Sequence, residues 1–222
     1  QTFLDLTPSK HLDPGFLQKI KDINLEGASL YVLHLVVKEL PQYIGEGGEL
    51  FNGTNYPSCV MIPCDSRELV DNQMLDVYSK RITPLRKESV LVPVCTHDHY
   101  DSTRCRDGLF VLSPIYLQMP PPEYHVDGPE AVNKQIPEIN HTIIEAMRSV
   151  TTNMGEDNIV HTFVNTPYDS ELRNLAFVGG GWYGTRHSSD QWYEKRPLPE
   201  LSRYRTPIDR LYVCNHSCYP GG

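Results

Sequence analysis

The most constraining feature of this sequence is the shortness of the connections between its apolar segments. Val90 to Cys95 and Leu109 to Leu117 predict two strands, and only the polar segment His97 to Arg106 joins them. A parallel pair of strands needs a crossover of a dozen or more residues, usually a helix. Since this connection is too short for a helical crossover, it favours a mixed or antiparallel sheet and not a run of βαβ units.

Further elements follow from residue patterns. Strands are expected at Ser29 to Val37 and Ile159 to Val164, which are rich in β-branched residues. Helices are expected after Asp13-Pro14, after the capping pattern Asp65-Ser-Arg-Glu68, along the apolar stripe from Ile136 to Val150, and after Thr166-Pro167. Pro41 to Pro63 is predicted as a loop or hairpin region because it is rich in Gly, Asn and Pro. The predicted fold is therefore α+β, with a mixed or antiparallel sheet and helices on one side.

Composition narrows the functional class. The chain of 222 residues carries a formal net charge of −8, which argues against a nucleic-acid or anionic-membrane surface. No apolar run approaches the ~20 residues needed to span a bilayer, and the start at Gln1 has no signal-peptide pattern. The six cysteines contain no C-x-x-C pair, so we expect reduced thiols in a cytoplasmic protein.

Two short motifs carry competing interpretations. The loop Thr96-His-Asp-His-Tyr-Asp101 resembles the "THxHxD" loop of metallo-β-lactamase-fold hydrolases, and His97, His99 and Asp101 are its candidate metal ligands. That family has a further histidine where Ser102 stands, and we favour a polar turn without metal, held by Asp98 and Asp101. The segment Gly179-Gly-Gly-Trp-Tyr-Gly184 matches G-x-G-x-x-G, but no apolar helical stripe follows it. We therefore expect a glycine-rich turn near the substrate pocket.

The C-terminal segment carries the most specific pattern. Tyr204-Arg-Thr-Pro-Ile208, the apolar Leu211-Tyr-Val-Cys214 and Pro220-Gly221-Gly222 are similar to "YRTPI-x-GLYLCG-x-x-x-HPGG", which closes over the flavin in phytoene desaturase-like FAD-dependent oxidoreductases. Other fragments follow the order of that family: Gln1-Thr-Phe-Leu-Asp-Leu6, Tyr100 to Ser113, Thr166-Pro-Tyr-Asp-Ser-Glu171, Gly180-Gly181, Ser189-Asp-Gln191 and Arg196-Pro-Leu-Pro199. The resemblance thus covers nearly the whole chain.

The resemblance implies that residues 1–195 are a substrate domain and that residues 196–222 return to an FAD-binding domain, where Leu211 to Cys214 would complete the sheet. The cofactor would be FAD, and the adenosine-binding unit would lie in an N-terminal half or a separate subunit. The reaction would be a hydride transfer between a small organic substrate and the flavin. Two departures are Asn215, where the family has glycine, and Tyr219, where it has histidine.

The resemblance and the residue types together give a set of candidate site residues. The expected cofactor-binding residues are Cys214, Asn215, Pro220, Gly221 and Gly222, and the aromatic residues that could line a substrate channel are Trp182, Tyr183, Trp192 and Tyr193. The best candidates for orienting substrate or handling a proton are His187, Asp190 and Gln191. The alternatives are a metal-dependent hydrolase and a non-catalytic, flavoprotein-like subunit.

Overall fold

The computed structural model describes residues 2–25, 27, 29–45, 48–52, 56–64, 66–81, 87, 92–120 and 126–221. The strands are β1 (Ser29–Val37), β2 (Cys59–Ile62), β3 (Val92–Cys95), β4 (Phe110–Met119) and β5 (Ile159–Asn165). The α-helices are α1 (Pro14–Lys21), α2 (Gly48–Phe51), α3 (Arg67–Ser79), α4 (Pro129–Arg148) and α5 (Pro167–Arg173). Short 3₁₀ turns lie at Ser9–His11, Ser102–Arg104, Val178–Gly180, Tyr193–Lys195 and Pro199–Leu201, and a π-helical turn at Thr2–Leu6.

The five strands form one sheet in the order β2-β3-β4-β1-β5, and every neighbouring pair is antiparallel. This confirms the predicted α+β fold with helices on one side. The predicted strand at Ser29 to Val37 has the observed bounds, and the capping pattern at Thr166 forms a complete capping box with Asp169. Asp13 caps α1 as expected, since its carboxylate accepts a hydrogen bond from the Phe16 amide.

The main core lies between one face of the sheet and α4. Residues of β1 alternate between fully buried and half-buried, as expected for a strand with one covered face. On the covered face Tyr31, Leu33, Leu35 and Val37 are all fully buried. The apolar stripe of α4 supplies Val132, Ile139, Ile143 and Met147 to the same cluster. Helix α3 also lies near this face, since its Asp76 is close enough to the buried Tyr116 of β4 to help raise the pKa of that phenol.

The opposite side of the sheet, called the open face here, carries a row of polar and aromatic side chains. Strand register places Cys59 opposite Cys95, Cys95 opposite Ser113, and His34 opposite Phe163. Ser113 Oγ and His34 Nδ1 lie 3.0 Å apart, which connects the two halves of the row. The His34 and Phe163 rings are stacked with their centroids 5.9 Å apart.

A second cluster joins the two ends of the chain. Its buried members are Phe3, Leu12, Phe16 and Leu201, and partly buried residues around them are Leu17, Ile20, Leu198, Ile208, Leu211 and Val213. The rings of Phe3 and Phe16 meet edge to face at 5.1 Å. An ion pair between Lys19 and Glu200 also connects α1 to the C-terminal segment.

Several elements add to or differ from the predicted ones, and helix α2 (Gly48–Phe51) is one of them, since it lies within Pro41 to Pro63. Strand β2 lies within Pro41 to Pro63, where a loop or hairpin region was expected. Within this chain Leu211 to Cys214 joins none of the five strands of the sheet; Tyr212 makes one β-bridge, to Arg205, and Leu211 and Val213 pack into the second cluster, while pairing with a sheet of a partner or a missing half stays a prediction. Helix α3 is capped by the side chain of Ser66, whereas the predicted capping pattern begins at Asp65. Asp65, Val90, Leu91, Pro121 to Glu123 and Gly222 lie outside the described residues.

The ranges that the structure describes include no helix with the length and apolar character needed to cross a bilayer.

Candidate functional site

The G-x-G-x-x-G segment forms a turn whose glycines pack against the chain itself. Val178–Gly180 is a single 3₁₀ turn, and the described residues after it contain no helix until the short turn at Tyr193. Gly180 has a φ of +67°, and a Cβ there would collide with the Pro167 carbonyl. Gly184 has a φ of +70°, and a Cβ there would collide with Ser217. The predicted glycine-rich turn is therefore confirmed, and Gly184 allows the C-terminal segment to approach closely.

The buried side chain of Arg196 connects the glycine-rich turn to the C-terminal segment through hydrogen bonds. Its side chain is fully buried, and its guanidinium donates only to backbone carbonyls. The acceptors are His216 O (3.1 Å from Nε and 2.9 Å from Nη2), Tyr183 O (2.6 Å), Thr185 O (3.2 Å), Gln191 O (3.3 Å) and Arg186 O (3.4 Å). Burial lowers the pKa of Arg196, and no carboxylate from the described part of the chain pairs with it. Arg196 thus fixes the backbone of both the glycine-rich turn and the C-terminal segment.

An open cavity of about 530 Å³ lies beside this arginine and is lined by His187, Ser188, Ser189 and the segment 192–195. The aromatic residues predicted as a cluster do meet here, and His187 lies at their centre. Its ring centroid is 4.2 Å from that of Tyr183 and 4.1 Å from that of Trp192. Trp182 contacts Tyr183 at 5.0 Å, and Tyr193 contacts Trp192 at 6.0 Å. Of these rings, His187, Trp192 and Tyr193 line the cavity, and Tyr183 adjoins it through its contact with His187.

His187 is the proton-handling candidate that the structure favours. Its Nε2 is buried and has no hydrogen-bond partner in the described part of the chain. Burial lowers the pKa of His187, and the nearby Arg196 and His216 lower it further. The imidazole is therefore neutral near pH 7, with one ring nitrogen available to a ligand.

The other two candidates are engaged differently. The Gln191 amide binds the backbone of Asn24 on both sides, with distances of 2.7 Å and 2.8 Å, and so ties the cavity wall to the segment after α1. Asp190 is exposed, and a hydrogen bond from Ser188 lowers its pKa, so its carboxylate remains charged. Gln191 therefore has a structural role here, and Asp190 is poorly suited to accept a proton near neutral pH.

The C-terminal segment comes close to Trp192, which lines the cavity. Cys214, Asn215 and Pro220 are exposed. The Asn215 side chain caps its own turn, since its Oδ1 accepts from the Ser217 amide at 2.8 Å. Gly221 has a φ of +117°, and a Cβ there would lie 3.5 Å from Arg196 and 3.7 Å from Trp192. Of the expected cofactor-binding residues, Gly221 thus lies close to Trp192 of the aromatic cluster.

The loop Thr96 to Asp101 is a polar turn held by aspartates, as predicted. Asp98 is buried, and its carboxylate accepts from the Val111 amide at 2.7 Å and from Arg104 Nε at 2.9 Å. Asp101 accepts from the Thr103 amide at 3.1 Å. His97 is exposed. No group of three or more His, Cys, Asp or Glu side chains is arranged to hold a metal within the described ranges.

The sequence did not indicate that Arg196 is buried and binds backbone carbonyls, or that the His216 carbonyl is one of its acceptors. An arginine before a proline gives no sign of burial, because charged side chains are almost always exposed unless paired. The carbonyls that bind Arg196 come from residues 5 to 20 positions away, and only the folded backbone brings them together.

Comparison with known proteins gives a remote but full-length similarity. The chain is 25% identical over 227 residues to pyridine nucleotide-disulfide oxidoreductase domain-containing protein 2 of Mus musculus, and 25% identical over 232 residues to the protein of that name from Rattus norvegicus. Both alignments cover 100% of this chain and 37% of the relative, so the chain spans little more than a third of the length of these relatives. No family model matches. The chain is thus similar, along its whole length, to one part of proteins named for an oxidoreductase domain.

Proposed function

We propose that this chain is the substrate-binding part of an FAD-dependent oxidoreductase that transfers a hydride between a C–H group, or a C–C double bond, of an organic substrate and the flavin. Support comes from the full-length similarity to proteins named for an oxidoreductase domain and from the aromatic cavity around His187. The finer assignment to the phytoene desaturase-like group rests on the ordered sequence motifs.

One observation carries the proposal. Within the segment that the motifs assign to the flavin, a Cβ at Gly221 would lie 3.5 Å from Arg196 and 3.7 Å from Trp192, and Trp192 lines the cavity together with His187. The expected cofactor-binding segment and the expected substrate-binding residues are separate in the sequence, since Cys214 lies 21 positions after Tyr193. Their meeting at a single cavity is what a shared active site requires.

The described residues fit one part of FAD. The buried, unpartnered Nε2 of His187 and the backbone near Gly221 offer polar contacts to the edge of a flat heteroaromatic ring. The pyrophosphate needs a glycine loop that opens a helix, and the described part of this chain has no such unit. Gly221 and His187 would therefore contact the ring, while an N-terminal half or a separate subunit would hold the adenosine diphosphate.

Each part of the cavity has a defined task in this proposal. FAD, when bound, supplies the hydride acceptor or donor. Trp192 and Tyr193, which line the cavity, give an apolar surface that orients a small organic substrate and excludes water. The neutral His187 accepts or holds a proton at Nε2. Arg196 positions the glycine-rich turn and the C-terminal segment through its hydrogen bonds to the carbonyls of Tyr183 and His216. Its positive charge also favours the uncharged form of His187.

A specific observation favours a second candidate, a non-catalytic subunit. The motif of the family has glycine where this chain has Asn215, and the Asn215 side chain occupies its own turn. A subunit that had lost its cofactor would keep the fold and the aromatic cavity while this turn changed.

Flavin content tests the proposal and separates the two candidates. We expect the purified chain alone to retain almost no FAD, because it lacks a pyrophosphate unit in its described part. Co-expressed with the FAD-binding region that it would complete, it should give a yellow complex with about one flavin per pair, bleached by the organic substrate. Stoichiometric FAD on the chain alone would contradict the proposal that another region or subunit holds the adenosine diphosphate of the cofactor. An assembled complex without flavin would favour the non-catalytic subunit.

A further inference from the structure

Two cysteines on the open face lie directly opposite each other on adjacent strands. Cys59 of β2 pairs in register with Cys95 of β3, and their sulfurs are 3.7 Å apart. Residues opposite each other in an antiparallel pair have Cα atoms about 4.5 to 5.5 Å apart. This separation lies within the range that a disulfide bridges, and a bond forms when the sulfurs approach to about 2.05 Å. The backbone therefore already has the spacing of a disulfide.

The pair is accessible and distinct from the other thiols. Cys59 is exposed on an edge strand, and Cys95 is half-buried beside it. The remaining thiols that make hydrogen bonds have oxygen partners: Cys64 with Ser66 O, Cys105 with Asp98 O, and Cys218 with Asn215 Oδ1. In the described part of the chain the structure thus brings one pair of sulfurs together.

The surroundings of the pair indicate the order of reaction. Cys95 donates a hydrogen bond to Cys59, and burial together with this bond raises the pKa of Cys95 to about 11. The thiolate is the reactive form of cysteine. The exposed Cys59 is therefore the thiol that meets an external oxidant first, and Cys95 is the thiol that completes the reaction from within.

We propose that Cys59 and Cys95 form a reversible dithiol–disulfide site, which a small-molecule disulfide oxidises. The Cys59 thiolate attacks one sulfur of the oxidant, forms a mixed disulfide and releases one thiolate. Cys95 then loses its proton to solvent and attacks the Cys59 sulfur, which expels the second thiolate. The protein loses two electrons and two protons, and the oxidant becomes two thiols. An excess of small-molecule thiol reverses both steps.

The bond would join the edge strand β2 covalently to β3. The two residues are 36 positions apart, and the loop between them contains α3. Closing a loop of this length restricts the unfolded chain, so the oxidised form should melt at a temperature higher by about 5–10 °C. The cavity around His187 is not part of this loop, so the site is independent of the proposed flavin chemistry.

Glutathione disulfide is the probe for this site. The fully reduced chain is incubated with it, quenched with acid, alkylated, and analysed by intact mass and peptide mapping. We expect a cross-linked peptide joining Cys59 to Cys95, about 2 Da lighter than the sum of the two reduced peptides, and the higher melting temperature, both reversed by excess reduced glutathione. Cys95→Ser should instead accumulate a stable glutathione adduct on Cys59. The matched control Cys105→Ser should form the cross-link as the wild type does.

Three outcomes would overturn the proposal. One is a wild-type chain that keeps glutathione on Cys59 without forming the cross-link. A second is cross-linking of Cys59 or Cys95 to another cysteine as the main product. The third is a chain that shows neither product while the exposed Cys214 in the same sample reacts normally. Peptide mapping of the wild type decides among these without depending on whether a variant folds.

Discussion

Three histidines in the described part of the chain have a pKa below the ordinary value, and together they give the fold a pH dependence. Burial is the main cause for His34, His187 and His216, and it is reinforced by Arg173 at His34 and by Arg196 at the other two. Each histidine binds a proton more readily in the unfolded chain than in the folded one. Stability from these groups is therefore complete above pH ~6.5 and falls as the pH decreases below that value.

We predict that the melting temperature of the chain falls between pH 7.5 and pH 5.5, and that His187→Asn reduces the size of this fall. Paired carboxylates also lose stabilisation in acid, but they titrate near pH ~4 and contribute little in this window. Thermal melts at both pH values measure the effect. His141→Asn, at an exposed histidine, is the matched control. An unchanged pH dependence in His187→Asn would show that this imidazole is solvated.

Side-chain roles were harder to predict than side-chain clusters. The grouping of Trp182, Tyr183, Trp192 and Tyr193 could be predicted because these residues are close in sequence, and the structure brings them into contact. The engagement of Gln191 with Asn24 could not, because 167 residues separate the two. The Cys59–Cys95 pair was also missed, since it depends on strand register and not on sequence spacing.

At the scale of elements, the loop between β3 and β4 is held by a buried aspartate. We predict that Asp98→Ala costs about 2–4 kcal/mol of stability, because it leaves the Val111 amide and the Arg104 guanidinium without their shared acceptor. His97→Ala, one residue away and exposed, should change stability by less than about 0.5 kcal/mol. Denaturant unfolding measures both variants.

The same loop gives the sharpest test of the metal-hydrolase alternative. His97→Ala combined with His99→Ala should leave metal content and activity nearly unchanged if the loop is a turn. Elemental analysis of the wild type and of the double variant decides the point. About one zinc or iron per chain, lost in the double variant, would contradict our interpretation and support a metal site.

Elements were predictable where local pattern and tertiary packing agree. Strand β1 has a long β-branched pattern, and its bounds were predicted without error. Strand β2 was missed because its four residues lie in a segment dominated by glycine, asparagine and proline, and only pairing with β3 extends them. Leu211 to Cys214 has the composition of a strand, but its apolar residues pack into the second cluster of this chain.

At the scale of the whole molecule, the two hydrophobic clusters should respond differently to truncation. We predict that deleting residues 204–222 leaves the sheet folded but exposes α1, because Ile208, Leu211 and Val213 leave the second cluster. Amide hydrogen exchange should show protected β1 and β4 and rapid exchange in α1. In the assembled complex the truncated chain should also fail to retain flavin.

Arg203→Ala is a control for this truncation. Arg203 is exposed, so the variant should leave the packing of both clusters and the flavin content of the complex unchanged. Wild-type flavin occupancy in the truncated complex would defeat the assignment of residues 196–222 to the cofactor. Protection of α1 at the wild-type level would show that Leu198 and Leu201 alone are enough to cover it.

The second cluster also bears on how the chain folds during synthesis. Phe3, Leu12 and Phe16 pack against Leu201, which the ribosome adds more than 180 residues later. All five strands lie between these two segments, so the sheet can be complete before α1 has its partner. Contacts between residues so far apart in the sequence form late, because the entropic cost of closing the long intervening loop must be overcome before the contacts can stabilise the fold. During translation the amphipathic α1 would therefore remain uncovered and accessible to chaperones until the segment around Leu201 has been synthesised.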